Sequence, residues 1–143
     1  MPAQPHERAA VVSTIDPANL NNNTSTGDAV DMSKFRSAMF ILALGANDST
    51  VDFKLTECAT SGGSYTDITG KAITQETGGD EDNLQFVICV RAEELSSGMR
   101  YVKPSVTVGN GTTNLGCVIG LGLEPRYGPA SDDDLSSVDQ IIV

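Results

Sequence analysis

The side chains of this 143-residue chain that could do chemistry are few and far apart. His6 is the only histidine and lies in a proline-flanked start, Pro2-Ala3-Gln4-Pro5-His6-Glu7-Arg8. A Ser-His-Asp triad needs that imidazole buried and held by a carboxylate, so catalysis by His6 is not expected. Cys58, Cys89 and Cys117 are odd in number and widely spaced, which fits neither a disulfide framework nor a Cys-x-x-Cys metal site. Cys89 and Cys117 fall inside apolar strands and are read as small buried hydrophobes. Two acidic runs, Asp80-Glu81-Asp82 and Asp132-Asp133-Asp134, offer carboxylate oxygens for calcium. They lack the alternating spacing of an EF-hand loop and read as solvated charge. Any two of the 19 acidic residues could form a glycosidase pair, but without tryptophan and with three tyrosines the aromatic sugar platform is poor. Gly109-Asn110-Gly111 and the glycines from Gly116 to Gly122 are followed by neither a Gly-Lys-Ser/Thr motif nor a helix, so they are not phosphate loops. The expectation is a chain that is not an enzyme, with no cofactor and no metal site.

The elements that would position these residues are strands. In Val51-Asp52-Phe53-Lys54-Leu55-Thr56-Glu57 the odd positions are apolar until Glu57 and the even ones polar, the period-2 pattern of a sheet with one face in a core. Leu84, Phe86, Ile88 and Val90 form the apolar face of a second strong strand. Phe35 to Leu44 is apolar on both parities after Ser37, which fits a strand covered on both faces or a central strand in a subunit contact. Asn114 to Leu123 sets Leu115, Cys117, Ile119, Leu121 and Leu123 on one face against Gly116, Val118, Gly120 and Gly122 on the other. Glycine repeated on one face leaves room for a close backbone or for curvature, and sheet curvature is preferred to a ligand groove. Ser61-Gly62-Gly63-Ser64 and Asn110-Gly111 mark hairpins, and Gly70 separates short strands at Tyr65 to Ile68 and Ala72 to Gln75. Gly78 to Asn83 reads as a solvated loop. Ala92 to Leu95 forms one helical turn ended at Gly98, and Pro104 signals an edge strand or a bulge.

Short strands at 8–12 residue spacing predict an all-β single sandwich, jelly-roll-like, over residues 32–125. Residues 1–31 are expected as an irregular N-terminal arm, with a possible short strand at Arg8 to Thr14, because Asp16 to Asp28 carries too little apolar area to offset its ordering entropy. Residues 126–143 form a C-terminal tail ending in Ile141-Ile142-Val143. Those side chains are costly to leave in water at about 25 cal/mol per Å² of apolar area, so the tail is expected to dock on the core or on another subunit. The net charge of −10 argues against direct contact with nucleic acid and with anionic membranes. No apolar run approaches the roughly 20 residues of a membrane-spanning helix, and the start has no secretory signal, so synthesis and retention in a cytosol is the expectation.

Six stretches carry a family resemblance. Ile41-Leu42-Ala43-Leu44-Gly45, Thr50 to Leu55 and Ser61 to Thr74, with Arg100 to Pro104, Gly120 to Leu123 and Pro125-Arg126-Tyr127-Gly128-Pro129, resemble small β-sheet virion proteins of tailed bacteriophages, of the head-decoration or capsid-cement type. The resemblance spans most of residues 35–129 and consists of strand and turn patterns. It implies a location on the capsid exterior, the major capsid protein as partner, and no catalytic residues. A head-tail connector or tail component, and a carbohydrate-binding or adhesin module, are the alternatives. Self-association as a dimer or trimer is expected from the Ala38 to Leu44 strand and exposed strand edges. The interface candidates are Arg8, Val11, Val12, Ile15, Leu20, Met39, Ile41, Arg126, Tyr127, Leu135, Ile141, Ile142 and Val143.

Overall fold

A computed structural model describes residues 2–77 and 82–143. A one-turn helix α1 (Pro5–Arg8) leads into nine strands: β1 (Ala9–Asn19), β2 (Asn23–Thr26), β3 (Val30–Asp31), β4 (Phe35–Asn47), β5 (Val51–Cys58), β6 (Thr66–Ala72), β7 (Gln85–Arg91), β8 (Tyr101–Val108) and β9 (Asn114–Pro125). They make two antiparallel sheets, one in the order β1-β9-β4-β7 and the other β2-β8-β5-β6, with β3 also on β8. Because β2 and β3 pair with successive parts of β8, they act as one interrupted edge strand. Counted that way, each sheet has four strands, and the chain changes sheet at every connection except β5 to β6. This is the eight-stranded jelly-roll form of the β-sandwich.

The core lies between the sheets, and period 2 decides which side chains enter it. Along β4, Ala38, Phe40, Leu42 and Leu44 point inward; Val51, Phe53 and Leu55 do so from β5, and Ile88 and Val90 from β7. On β9 the inward residues are Gly116, Val118, Gly120 and Gly122, not the leucines. Phe40 is the cross-strand partner of Gly120. A Cβ at Gly120 would lie 2.7 Å from the Phe40 ring and 2.9 Å from Ser13 Cβ, and one at Gly122 would lie 2.7 Å from the ring of Phe35. The glycines therefore make room for two fully buried phenylalanine rings, and neither curvature nor a groove is needed to explain them.

Residues 9–31 correct the expected arm. β1 pairs with β9 along its length and contributes Ala10, Val12 and Ile15 to the core, while Val30 enters from β3. The possible short strand at Arg8 to Thr14 falls in β1 from Ala9 on, and register shifts between Val11 and Ser13 and between Ile15 and Ala18 break the alternation that would have extended it to Asn19. Asn110-Gly111 corrects likewise: it links β8 to β9 in the opposite sheet, and neither residue has positive φ. A connection spanning the ~10 Å between sheets cannot be a tight type I′ turn. The hairpin at residues 61–64 is observed between β5 and β6, which forms one strand through Gly70 at φ 79° instead of two short ones. Ala92–Glu94 is a 3-10 turn followed by Gly98 at φ 82°. Pro104 corrects the edge-strand reading: β8 is an interior strand in unbroken register with β5, and the proline is accommodated opposite the gap between β2 and β3. Of the loop expected at Gly78 to Asn83, Gly78 to Glu81 lie outside the described residues.

Buried polar side chains tie the loops at one end. The Asn114 Oδ1 accepts the N–H groups of Asp48 and Ser49, its Nδ2 donates to Asn21 Oδ1 and Asp48 Oδ1, and its own N–H donates to Asn19. Three inter-strand connections thus share one side chain. At the other end Asp31 accepts two bonds from the Arg100 guanidinium, at 2.8 and 2.7 Å, fastening β3 to the start of β8. That guanidinium holds the Asp31 carboxyl down at about 2, with help from Ser33 and against the effect of burial.

The packing over β9 yields a stability test. Gly120→Ala is expected to cost about 1–3 kcal/mol in urea unfolding, because the methyl is trapped between the Phe40 ring and the Ser13 side chain of β1. Gly62→Ala, where nothing lies within 4 Å, is the matched control and is expected to be nearly neutral.

Candidate interaction surface

Since the glycine face of β9 turns inward, its large residues turn outward. Antiparallel partners share a face, so the outer surface of the β1-β9-β4-β7 sheet can be read row by row from the register. Ala9, Leu123, Ser37 and Arg91 form the first row; Val11, Leu121, Met39 and Cys89 the second; Thr14, Ile119, Ile41 and Val87 the third; Cys117, Ala43 and Gln85 the fourth; Asn19 and Leu115 close the surface. Val87 is 54% exposed, Ile119 45% and Leu115 44%, and Met39, Ile41 and Leu121 are half-buried. Arg91 is the one charged side chain in these rows. It lies at the end of the face, with Glu93 at 3.3 Å.

The outer face of the other sheet has the opposite character. There Thr24 faces Thr107, Thr107 faces Asp52, Ser105 faces Lys54 and Lys103 faces Thr56. Thr24 and Thr107 hydroxyls bond at 2.9 Å, and Lys54 pairs with Asp67 at 2.7 Å. One sheet therefore meets water with polar side chains, as a half-buried antiparallel sheet does, and the other with apolar ones.

Open grooves lie at both ends of the apolar face. One of about 410 Å³ is lined by Pro17, Ala18, Leu44, Leu115 and Cys117, and one of about 430 Å³ by Glu7, Arg8, Ser37, Leu123 and Pro125. Beyond the first row, Arg36, Arg91 and Arg126 surround a cleft of about 400 Å³ together with Glu93 and Glu124. Glu94 nearby accepts the Arg91 N–H and pairs with Lys71 at 3.1 Å, and these contacts, the first foremost, lower its carboxyl below the usual range.

The tail runs along the free edge of β1. Val11 N–H donates to the Asp134 carboxylate at 2.7 Å, and Leu135 N–H donates to Val11 carbonyl oxygen at 2.9 Å. Lys34 binds Asp133 at 2.8 Å, a contact that raises the lysine above its ordinary value. Two members of the acidic run are thus engaged in holding the tail. Val138 and Ile141 line a small groove with His6, Ala9 and Val11, while Ile142 and Val143 stay exposed.

The expected interface residues divide accordingly. Met39, Ile41 and Val11 lie on the apolar face; Arg8 and Arg126 are exposed near its first row, and Tyr127 is exposed beyond the end of β9; Leu135 and Ile141 border it through the tail. Val12, Ile15 and Leu20 are core residues, 7%, 5% and 6% exposed, and are corrected as surface candidates because β1 is a sheet strand and Leu20, directly after it, is held by its N–H donating to the Asn114 carbonyl oxygen. Cys89 is exposed and Cys117 half-buried, both on the apolar face, whereas Cys58 is the buried one. The sequence reading missed Leu115, Ile119, Leu121 and Val87. The signal for them was the alternation of glycine with leucine and isoleucine on β9, set beside two phenylalanines in β4 that needed space.

No family model matches this chain, and no curated protein matches it. Among solved structures, one described as Desmodium yellow mottle tymovirus is similar over 89% of this chain and 94% of its own, at 10% identity and a TM-score of 0.39. Those figures are too low to carry an assignment.

Adjacent residues on β9 test the orientation of the face. Val118→Thr buries an unpaired hydroxyl and is expected to cost about 2 kcal/mol in urea unfolding, while Ile119→Thr, half in water, is expected to cost under about 1 kcal/mol. The reverse ranking would place the leucine and isoleucine face in the core.

Proposed function

We propose that this chain is a structural virion protein of the capsid-decoration or cement type, which binds the outside of a phage head and stabilises its lattice. The observation that carries this reading is the four-stranded apolar face on a jelly roll whose other outer face is polar. Exposed apolar patches of several hundred Å² mark interaction surfaces, and singly scattered apolar residues do not. Fold alone does not assign a role, so the reading joins this surface to the strand and turn patterns that resemble phage head proteins.

The carboxylates also support a structural role over an enzymatic one. Asp31 is held by Arg100, Glu94 by Arg91 N–H and Lys71, and Asp48 by the N–H groups of Thr112 and Thr113, which with Asn114 lower its carboxyl below the usual range. Each perturbed acid spends its oxygens on fastening a strand or loop. The acidic surface suits a position outside the head better than one against packaged DNA.

A protein that binds only the assembled lattice stabilises it by RT ln(1 + [L]/Kd) per site, and many equivalent sites multiply the effect. Quantitative mass spectrometry of purified virions is expected to find this chain at hundreds of copies per particle, and heads lacking it are expected to melt at lower temperature until the purified chain is added back. A copy number in the single or low double digits, with no change in head melting, would contradict the cement role and favour a connector.

A further inference from the structure

We infer that the apolar face of the β1-β9-β4-β7 sheet is a self-docking surface, on which two copies of this chain pack sheet against sheet around Ile41, Ile119 and Val87. This rests on the proposed virion role and names a second copy as what covers the apolar face, so that head binding falls to the surfaces the pair leaves exposed, and the two ideas fail separately.

The first argument is charge. Two copies, each with a net charge of −10, can approach closely only where neither presents carboxylates. The rows from Ala9 to Leu115 contain no acidic residue, although the chain has 19. A face evolved against a basic partner would place acids among its apolar residues, because opposite charges across a contact steer and orient it. Here the sole charge, Arg91, is at the end and is already paired with Glu93.

The second argument is area. Four strands at ~4.8 Å spacing, over the length from Ser37 to Gly45 at ~3.3 Å per residue, make a surface of roughly 19 by 27 Å, about 500 Å². Two such faces remove about 1,000 Å² from water, the lower bound for a specific contact. Shape agrees. The exposed residues are short and branched, both faces carry the same twist, and like sheets stack ~10 Å apart with side chains interleaved, as the two sheets of this sandwich do. A second copy supplies a surface of that description without any further partner, and a two-fold axis through the Ile41 row makes the contact closed.

Sedimentation velocity of the full chain from about 1 to 100 µM, at low and at high sodium chloride, tests this. The expected result is a monomer-dimer equilibrium that tightens as salt rises, since salt screens the repulsion between two acidic bodies and strengthens apolar association. Ile119→Lys is expected to raise the dissociation constant at least tenfold without loss of the circular dichroism spectrum of the fold. Val87→Lys, on the edge strand, repeats the test at a position where a charge reaches water freely. Thr107→Lys, on the polar outer face of the other sheet, is expected to leave the dimer intact. A monomer at every concentration and salt, a trimer, or a dimer indifferent to both face variants would overturn the inference. A monomeric chain that still coats phage heads would overturn it while leaving the virion role standing.

Discussion

The placement of two phenylalanine rings over two glycines governs the rest of this molecule. Phe40 and Phe35 fill the space above Gly120 and Gly122, and a strand has only two faces, so putting the glycines inward sends Leu115, Ile119 and Leu121 outward. A core with no tryptophan gains large buried area from these rings at the price of exposing branched aliphatics on the opposite side. The apolar outer surface is thus not an accident of composition. It follows from how the core is filled.

That surface is presented on a frame with little freedom. β9 is held on both sides, by β1 and β4, and the loops at one end converge on the buried Asn114. The Asp31 and Arg100 pair fixes the short strand β3, and the tail is fastened to the β1 edge through Asp134 and Asp133. Rigid presentation matters for association, because a surface already ordered before contact loses less conformational entropy on binding. The ends, which carry most of the expected interface residues, act largely as parts of this frame: residues 9–31 as sheet strands, and residues 130–135 as an edge clasp.

Much of the strand pattern is legible in the sequence, and its failures have physical causes. The alternation of Val51, Phe53 and Leu55, and of Phe86, Ile88 and Val90, reports burial correctly because each strand has one face in the core and an unbroken register with a neighbour, β8 for β5 and β4 for β7, whereas Leu84, read as part of the same face, lies just before β7 and is 42% exposed. β1 was legible only as a possible short strand ending at Thr14, because two register shifts scramble its period and Asp16-Pro17 mimics a turn. β9 was visible as a strand but its direction was not, since apolarity alone assigns leucine to the core and glycine to the surface. Cys89 and Cys117 were misplaced by the same rule. Asn110-Gly111 has the composition of a hairpin, and only the order of strands in space shows that the chain crosses between sheets there.

The three cysteines offer the most direct measurement of which face is outside. They sit one in the core, Cys58, and two on the apolar face, Cys89 and Cys117. Brief maleimide labelling of the native chain at nanomolar concentration, with the modified residues identified by mass spectrometry, is expected to label Cys89 first and Cys117 next, and to leave Cys58 unmodified until denaturant is added. Labelling of Cys58 in the native chain with Cys89 and Cys117 protected would contradict the orientation of β9 and, with it, the apolar outer face.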